Sequence, residues 1–291
     1  MAFLTLQEIA RRAEQEQLPF WKIVMQSDQR ERNVSEADSF DTMREMYRAM
    51  KQADAGYSAE LRSASGMAGG DGAKLEQYRR EGNHLAGEYL SEVMEKAVKM
   101  AESNACMKRI VAAPTAGSCG VIPAVLLTYE SQKQVDEDRM TEALFTAAGI
   151  GEVLAASASI SGAEGGCQAE IGSASAMAAG AVTYLEGGTD EEILHAAALA
   201  LKNMLGLTCD PVAGLVEVPC VKRNVSGAVN AVVSAQMALA GVRSVIPPDE
   251  VIDSMRRIGR LLPGCLRETS QDGLAVTPTA QKIARQLAQQ A

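Results

Sequence analysis

The sequence has few aromatic residues and almost no histidine. Aromatic side chains make up 4% of its 291 residues, and the two histidines are His84 and His195. A core rich in stacked aromatics, as in many β-sandwiches, is therefore disfavoured. Neither histidine has the spacing of a catalytic triad or of a histidine metal pair, and no G-x-S-x-G nucleophile motif occurs.

Basic blocks, an apolar leader and a long apolar run are also missing. The chain carries 28 Lys and Arg against 37 Asp and Glu, a formal charge of −9, so we expect no nucleic-acid binding. The N-terminus turns polar after six residues, and the most apolar later run, residues 226–246, contains Asn, Gln and Arg. The sequence therefore predicts neither a secretory signal nor a membrane span, and we expect a cytoplasmic protein.

Alanine and methionine supply much of the 47% hydrophobic content, which favours closely packed helices. Thr189 and Glu192 form a predicted capping box before an apolar stripe at helical spacing, and another helical pattern runs from about residue 73 to 110. No run of six residues alternates with period 2. We predict a mainly α, compact multi-helix single domain over residues 1–291, with Gly/Pro-rich loops carrying the site and residues 1–55 as a peripheral N-terminal helical subregion.

Six cysteines occur without any C-x2-C pair, and without an export signal they are expected to be reduced. Cys167, Cys209 and Cys220 lie in Gly- or Pro-rich segments between predicted helices, separated by 42 and 11 residues. Two interpretations stay open: buried loop cysteines, or ligands of a four-iron cluster with one open iron. The other three are Cys106 and Cys265, predicted to be structural, and Cys119, for which a structural thiol and a thiolate both stay open because it stands at a predicted helix start where a thiolate is stabilised.

Two glycine-rich segments are candidates for binding an anion. In SGMAGGDGAK, residues 65–74, the hydroxyl of Ser65, the amides of Gly66 to Gly70 and Lys74 can bind a carboxylate; the alternative is an ordinary flexible turn. In TAGSCG, residues 115–120, a turn leads into a helix and leaves amides free for an anion.

Four motifs in one order carry a family resemblance: SGMAGGDGAKL, TAGSCGVIPA, SGAEGGCQAEIGSASAMAAGA and LGLTCDPVAGLVEVPCVKRN. Together they resemble the α, or catalytic, chain of the iron–sulfur-dependent bacterial L-serine dehydratases, over about residues 60 to 280. The resemblance is to the two-subunit form, in which a β-type domain is a separate chain, because no such domain precedes these motifs here.

The resemblance implies a [4Fe-4S] cluster held by Cys167, Cys209 and Cys220. It also implies β-elimination of water from L-serine at the open iron, giving pyruvate and ammonia. The substrate-binding residues are then expected to be Ser65, Gly66, Gly69, Gly70, Thr115, Ala116, Gly117 and Ser118. Candidates for the base are Lys74, if burial lowers its pKa, Asp71, or a histidine of the β-type partner subunit. We expect Asp210 and Asn224 to orient the cluster loop, or to make loop-capping hydrogen bonds only.

The chain departs from the family pattern at two points. Where the glycine loop usually reads SGLTGGDA, Ala68 replaces a threonine and Gly72 an alanine, which removes one hydroxyl. No cysteine follows Cys265, so the C-terminal fourth ligand of some single-chain relatives is missing. Two alternative functions stay open: a cluster-binding subunit that is inactive without its β partner, or a related iron–sulfur lyase for another small amino or hydroxy acid. A pyridoxal-phosphate enzyme is disfavoured, because the sequence has no Schiff-base lysine with a phosphate-binding segment.

Overall fold

The protein is described by a computed structural model over residues 3–289. In that range it forms thirteen α-helices and no β-strand; one isolated bridge joins Cys209 to Arg267. The prediction of a mainly α fold is confirmed. In chain order, α1 to α13 are Leu6–Glu16, Phe20–Arg32, Glu36–Ala55, Asp71–Arg80, Gly87–Ala105, Val121–Lys133, Glu137–Ser157, Gly162–Gly165, Ser173–Leu185, Asp190–Lys202, Cys220–Leu239, Pro248–Leu261 and Pro278–Ala288.

Helix α9 is the centre of the core. Every one of its residues is buried, and it packs against α6, α7, α10 and α11. Its side chains are mostly Ala, Ser and Gly, which let neighbouring helices come close. At Gly180 a Cβ atom would lie only 2.2 Å from Cδ1 of Ile150, so any side chain there would force Ile150 to move. The alanine-rich composition noted in the sequence is therefore used at the helix contacts.

The N-terminal helices share this core. Phe20 and other apolar residues of α1 to α3 are buried, and α2 and α3 pack on α7. Trp21, Phe40 and Phe145 form an aromatic cluster with ring centroids 6.1–6.4 Å apart. The division of the chain into one domain with an N-terminal subregion stays a proposal.

Two helix boundaries test the local patterns. The capping box of Thr189 and Glu192 is present at the start of α10, as predicted. The single helical pattern predicted from about 73 to 110 is wrong, because the chain breaks between α4 and α5. Gly82 and Gly87 there have φ values of +84° and +79°, a left-handed conformation that ends a helix and that glycine adopts without strain.

The loops that carry the site meet at the ends of these helices. Cys209 pairs with the segment after α12: its amide donates to Leu266 O (2.9 Å), and Glu268 N donates to its carbonyl (2.7 Å). The turn before α6 and the start of α11 are joined by the side chain of Asn224. Among the described helices, none combines the length and apolar character that a membrane crossing requires.

Candidate metal centre and substrate loops

Two of the three predicted cysteine ligands meet a glutamate. Cys167 immediately precedes one π-helical turn, Gln168–Gly172, which contains Glu170. The two sulfurs of Cys167 and Cys209 and a carboxylate oxygen of Glu170 all lie within 4.8 Å of one another. Cys220, the first residue of α11, is also buried but lies outside this 4.8 Å group.

The charges around these thiols differ. A hydrogen bond with Cys209 lowers the pKa of Cys167, and the nearby Arg223 guanidinium lowers it further against the effect of burial. The same hydrogen bond, together with burial, raises the pKa of Cys209. Burial raises the pKa of Cys220 to about 12. The surroundings therefore make Cys167 easier to ionise than the other two thiols, and a metal bound at the group would displace the remaining thiol protons.

Glu170 is a site residue that we did not predict from the sequence. Its Oε2 lies 4.0 Å from Cys209 Sγ, and its Oε1 accepts a hydrogen bond from Thr115 Oγ1 at 2.7 Å. Burial raises the pKa of this carboxyl group. Gly162 packs directly on the pair, because a Cβ there would lie 2.7 Å from Glu170 Oε2 and 3.1 Å from Cys209 Sγ. The Cys-x-x-Glu spacing, which places both side chains on one face of a helical turn, was the available signal.

The segment Thr115 to Ser118 forms a 3₁₀ turn beside this group. The Thr115 and Ser118 hydroxyls are 3.1 Å apart, and Ser118 is fully buried. Ala116 is exposed, and a Cβ at Gly117 would lie 3.0 Å from Glu170 Oε1. The predicted substrate turn and the cysteine–glutamate group are therefore in direct contact.

Asn224 joins this turn to the first turn of α11. The fully buried side chain accepts from Gly120 N (2.8 Å) and donates to Gly117 O and Cys220 O (both 2.9 Å). These contacts allow Asn224 to position the Cys220 segment, and that role stays a prediction.

Asp210 does the same for the Cys209 segment. Its Oδ1 accepts from Arg223 Nη2 (2.9 Å), and its Oδ2 accepts from Leu274 N (2.9 Å) in the C-terminal loop. Arg223 in turn donates to Thr208 O (2.7 Å). The Asp210–Arg223 ion pair thus contacts the loop on both sides of Cys209, and the role of Asp210 in orienting that loop stays a prediction.

The glycine loop already holds two internal carboxylates. The hydroxyl of Ser65 donates to Glu217 at 2.5 Å, and the amide of Gly66 donates to Ser63 O at 3.0 Å. Gly69 N donates to the buried Glu102 at 3.2 Å. Binding of a substrate carboxylate by Ser65, Gly66, Gly69 and Gly70 stays a prediction, and it requires Ser65, Gly66 and Gly69 to exchange their present partners.

The two candidate bases lie on the surface. Asp71 is paired with Lys222 (2.6 Å) and Lys74 (2.7 Å), and these two ammonium groups lower its pKa to about 2. The side chain of Lys74 is 79% exposed, so the burial that a lysine base requires is not present. Their catalytic roles remain untested predictions.

The remaining cysteines are separate from the group. Cys119 is fully buried; its thiol faces Met100 O at 3.9 Å, and burial raises its pKa to about 12. Of the two interpretations of Cys119 that the sequence left open, the structure favours a buried structural thiol, because the helix start that it occupies is closed to solvent. Cys106 and Cys265 are partly buried and free.

These features define an all-helical protein with a buried sulfur and carboxylate donor group beside a hydroxyl-bearing turn. The family described as serine dehydratase alpha chain matches residues 15–275, and the chain belongs to this family. It is 45% identical over 285 residues to the probable L-serine dehydratase, alpha chain, of Bacillus subtilis (strain 168), covering 98% of this chain and 95% of that protein.

Two further relatives show how much of the chain is shared. The probable L-serine dehydratase, alpha chain, of Latilactobacillus sakei is 53% identical over 196 residues, 67% of this chain and 94% of that protein. The L-serine dehydratase TdcG of Escherichia coli (strain K12) is 46% identical over 182 residues, 62% of this chain and 40% of that longer protein.

Proposed function

We propose that this chain is the catalytic chain of an L-serine dehydratase, which eliminates water from L-serine to give pyruvate and ammonia. Family membership and the names of the relatives support this activity. The observation that carries it is the group of Cys167, Cys209 and Glu170 within 4.8 Å, in contact with the turn at Thr115. This places metal-ligand atoms beside hydroxyl groups that can bind a small polar substrate.

The cofactor of the proposal is a [4Fe-4S] cluster held by Cys167, Cys209 and Cys220. The residues fit such a group in chemistry: three buried thiols come from three separate segments, and soft sulfur ligands select iron–sulfur clusters or zinc. When bound, the cluster supplies a Lewis acid for the departing hydroxyl group.

The chain's own side chains would orient the substrate. Glu170 fixes the Thr115 hydroxyl through the 2.7 Å hydrogen bond, and Asn224 fixes the backbone of Gly117. In the proposal the substrate carboxylate binds at the turn from Thr115 to Ser118 and at the glycine loop from Ser65 to Gly70. Preorganised donors of this kind stabilise charge without rearranging during the reaction.

The proposal includes a separate β-type subunit as partner and a cytoplasmic location. The names of the relatives as alpha chains support the partner. Because Lys74 is exposed and Asp71 is held by two lysines, the partner is a further source for the base. An α chain that binds the cluster but is inactive alone, or that acts on another small amino or hydroxy acid, remains the alternative function.

Anaerobic reconstitution with iron and sulfide tests the proposal. The measurements are bound iron, visible absorbance and pyruvate formed from L-serine, with and without a β-type chain. Cys167→Ala, Cys209→Ala and Cys220→Ala should each lose the cluster absorbance, while Cys265→Ala, at a partly exposed free cysteine, should keep it. Full absorbance in the Cys220→Ala protein would contradict the three-cysteine ligand set. If pyruvate forms only when the β-type chain is present, the chain is a cluster-binding subunit that is inactive alone.

A further inference from the structure

A cavity of about 410 Å³ lies behind the cysteine segments, between α12 and residues 158–169. None of the predicted substrate residues lines it. Gly259 of α12 allows close contact there, since a Cβ at that position would lie 2.9 Å from Gly165 Cα. The lining includes Gln168 and three arginines, Arg256, Arg260 and Arg267.

The arginines give the cavity a positive lining. Arg256 is paired with Asp253, whereas Arg260 and Arg267 have no carboxylate within 4.0 Å in the described part of the chain. Glu164 is the single carboxylate among the lining residues, and its Oε2 accepts a hydrogen bond from Ser159 at 2.8 Å. With Arg256 already paired, Arg260 and Arg267 are left against the single carboxylate of Glu164 among the lining residues, and this excess positive charge favours an anion.

Arg267 supplies the second observation. Its Nη1 donates to Glu164 O at 3.3 Å, but its Nε is buried and has no acceptor within residues 3–289. A buried guanidinium donor without an acceptor is unfavourable, and such groups are rare in folded proteins. Because Arg267 also lines the cavity, an anion there can accept from its guanidinium group in the two-pronged geometry that guanidinium groups form with carboxylates and phosphates.

We propose that this cavity binds a small organic or inorganic anion bearing carboxylate or phosphate groups. Its volume falls in the range of small-molecule sites, about 300–1,000 Å³. The site is separate from the one proposed for L-serine and does not depend on the activity assigned to the chain.

The cavity walls connect it to two cysteine ligands. Arg267 forms the isolated bridge with Cys209, and Gln168 follows Cys167. Gln168 also joins the walls: its side chain donates to Met255 O (3.1 Å) and accepts from Gly206 N (2.9 Å). A bound anion therefore holds the two cysteine segments in place from behind. This regulatory role, unlike the binding itself, rests on the proposed function, in which the two cysteines hold the cluster.

Titration calorimetry on the full chain tests the binding. The probes are malonate, pyruvate and inorganic phosphate, with uncharged malonamide as a blank. We expect at least one anion to bind, with affinity reduced at least 10-fold in Arg260→Ala and Arg267→Ala. The matched control is Arg257→Ala, an exposed arginine of the same helix that is paired with Asp253 and lies outside the cavity. Binding of malonate or pyruvate rather than phosphate would define the ligand class.

The proposal is overturned if no anion binds, or if Arg257→Ala weakens binding as much as the two cavity variants. Arg260 is exposed, so its variant remains informative if the Arg267 variant fails to fold. Hydrogen exchange tests the coupling: the bound anion should slow exchange in residues 158–169 and 262–268, and unchanged exchange would refute the regulatory role. Neither measurement uses iron or L-serine turnover, so failure of the anion-site proposal is distinguishable from failure of the proposed function.

Discussion

Substitution of Glu102 should strongly destabilise the glycine loop and the start of α4. This fully buried carboxylate accepts four hydrogen bonds. Oε1 accepts from Gly69 N (3.2 Å) and Asp71 N (2.9 Å), and Oε2 accepts from Gly72 N (3.1 Å) and Tyr57 Oη (2.7 Å). Three of the four donors are amides at or just before the N-terminus of α4, which have no partner within the helix.

Glu102→Gln keeps the shape but replaces one oxygen by an NH₂ group. If the NH₂ group takes the place of Oε2, the amides of Gly69 and Asp71 keep Oε1 as their acceptor. The Tyr57 hydroxyl can then turn to accept a hydrogen bond from the new NH₂ group. Gly72 N then lacks an acceptor in a buried position, which costs about 1–3 kcal/mol. Loss of the negative charge at a helix N-terminus adds about 0.3–1 kcal/mol. We expect the free energy of unfolding to fall by about 3 kcal/mol.

Urea unfolding followed by circular dichroism measures this change. In thermal unfolding, where 1 kcal/mol shifts the melting temperature by about 2–4 °C in chains of about 150–250 residues, the melting temperature should fall by about 6–12 °C. The control is Glu81→Gln, an exposed glutamate at the other end of α4, which should change stability by less than about 0.5 kcal/mol. If the two variants unfold alike, Glu102 is not the acceptor that holds the loop, and the reasoning is wrong.

Three further predictions follow from the site. Asn224→Ala leaves Gly120 N without its acceptor, so the free energy of unfolding in urea should fall by about 1–3 kcal/mol and KM for L-serine should rise. The control Asn230→Ala, on the same helix, should lower stability without changing KM. Because its two lysine partners lower the pKa of Asp71 to about 2 from 3.8, its stabilisation is present above about pH 4 and is lost as the pH falls to about 2. Melting temperatures of Asp71→Asn should therefore fall less over that interval than those of the wild type, and parallel curves would contradict the ion pairs. With iodoacetamide at pH 8, mass spectrometry should find Cys265 alkylated and buried Cys119 unmodified; rapid alkylation of Cys119 would show that its surroundings open.

The amino-acid sequence was sufficient for the class of fold and for several local features. Composition and periodicity predict helices because burial of one apolar face is a local, repeating pattern. The capping box at Thr189 was predictable because its two partners are three residues apart. The neighbouring Gly and Pro residues correctly predicted that Cys209 lies between helices. For Cys220, the first residue of α11, and for Cys167, which begins a helical turn, the prediction of a loop is wrong. The motifs around the cysteines were enough for the family resemblance.

The contacts of the site were decided by the tertiary structure. Glu170 accepts from a residue 55 positions away, Glu102 from amides about 30 positions away, and Glu217 from Ser65 at a separation of 152. The spacing of Glu170 from Cys167 was the one local signal among these three; no local pattern marks Glu102 or Glu217, which have the composition of ordinary helical or loop positions. They are selected by burial: a carboxylate enclosed by the fold must find donors, and only the packing of distant segments determines which donors are within reach.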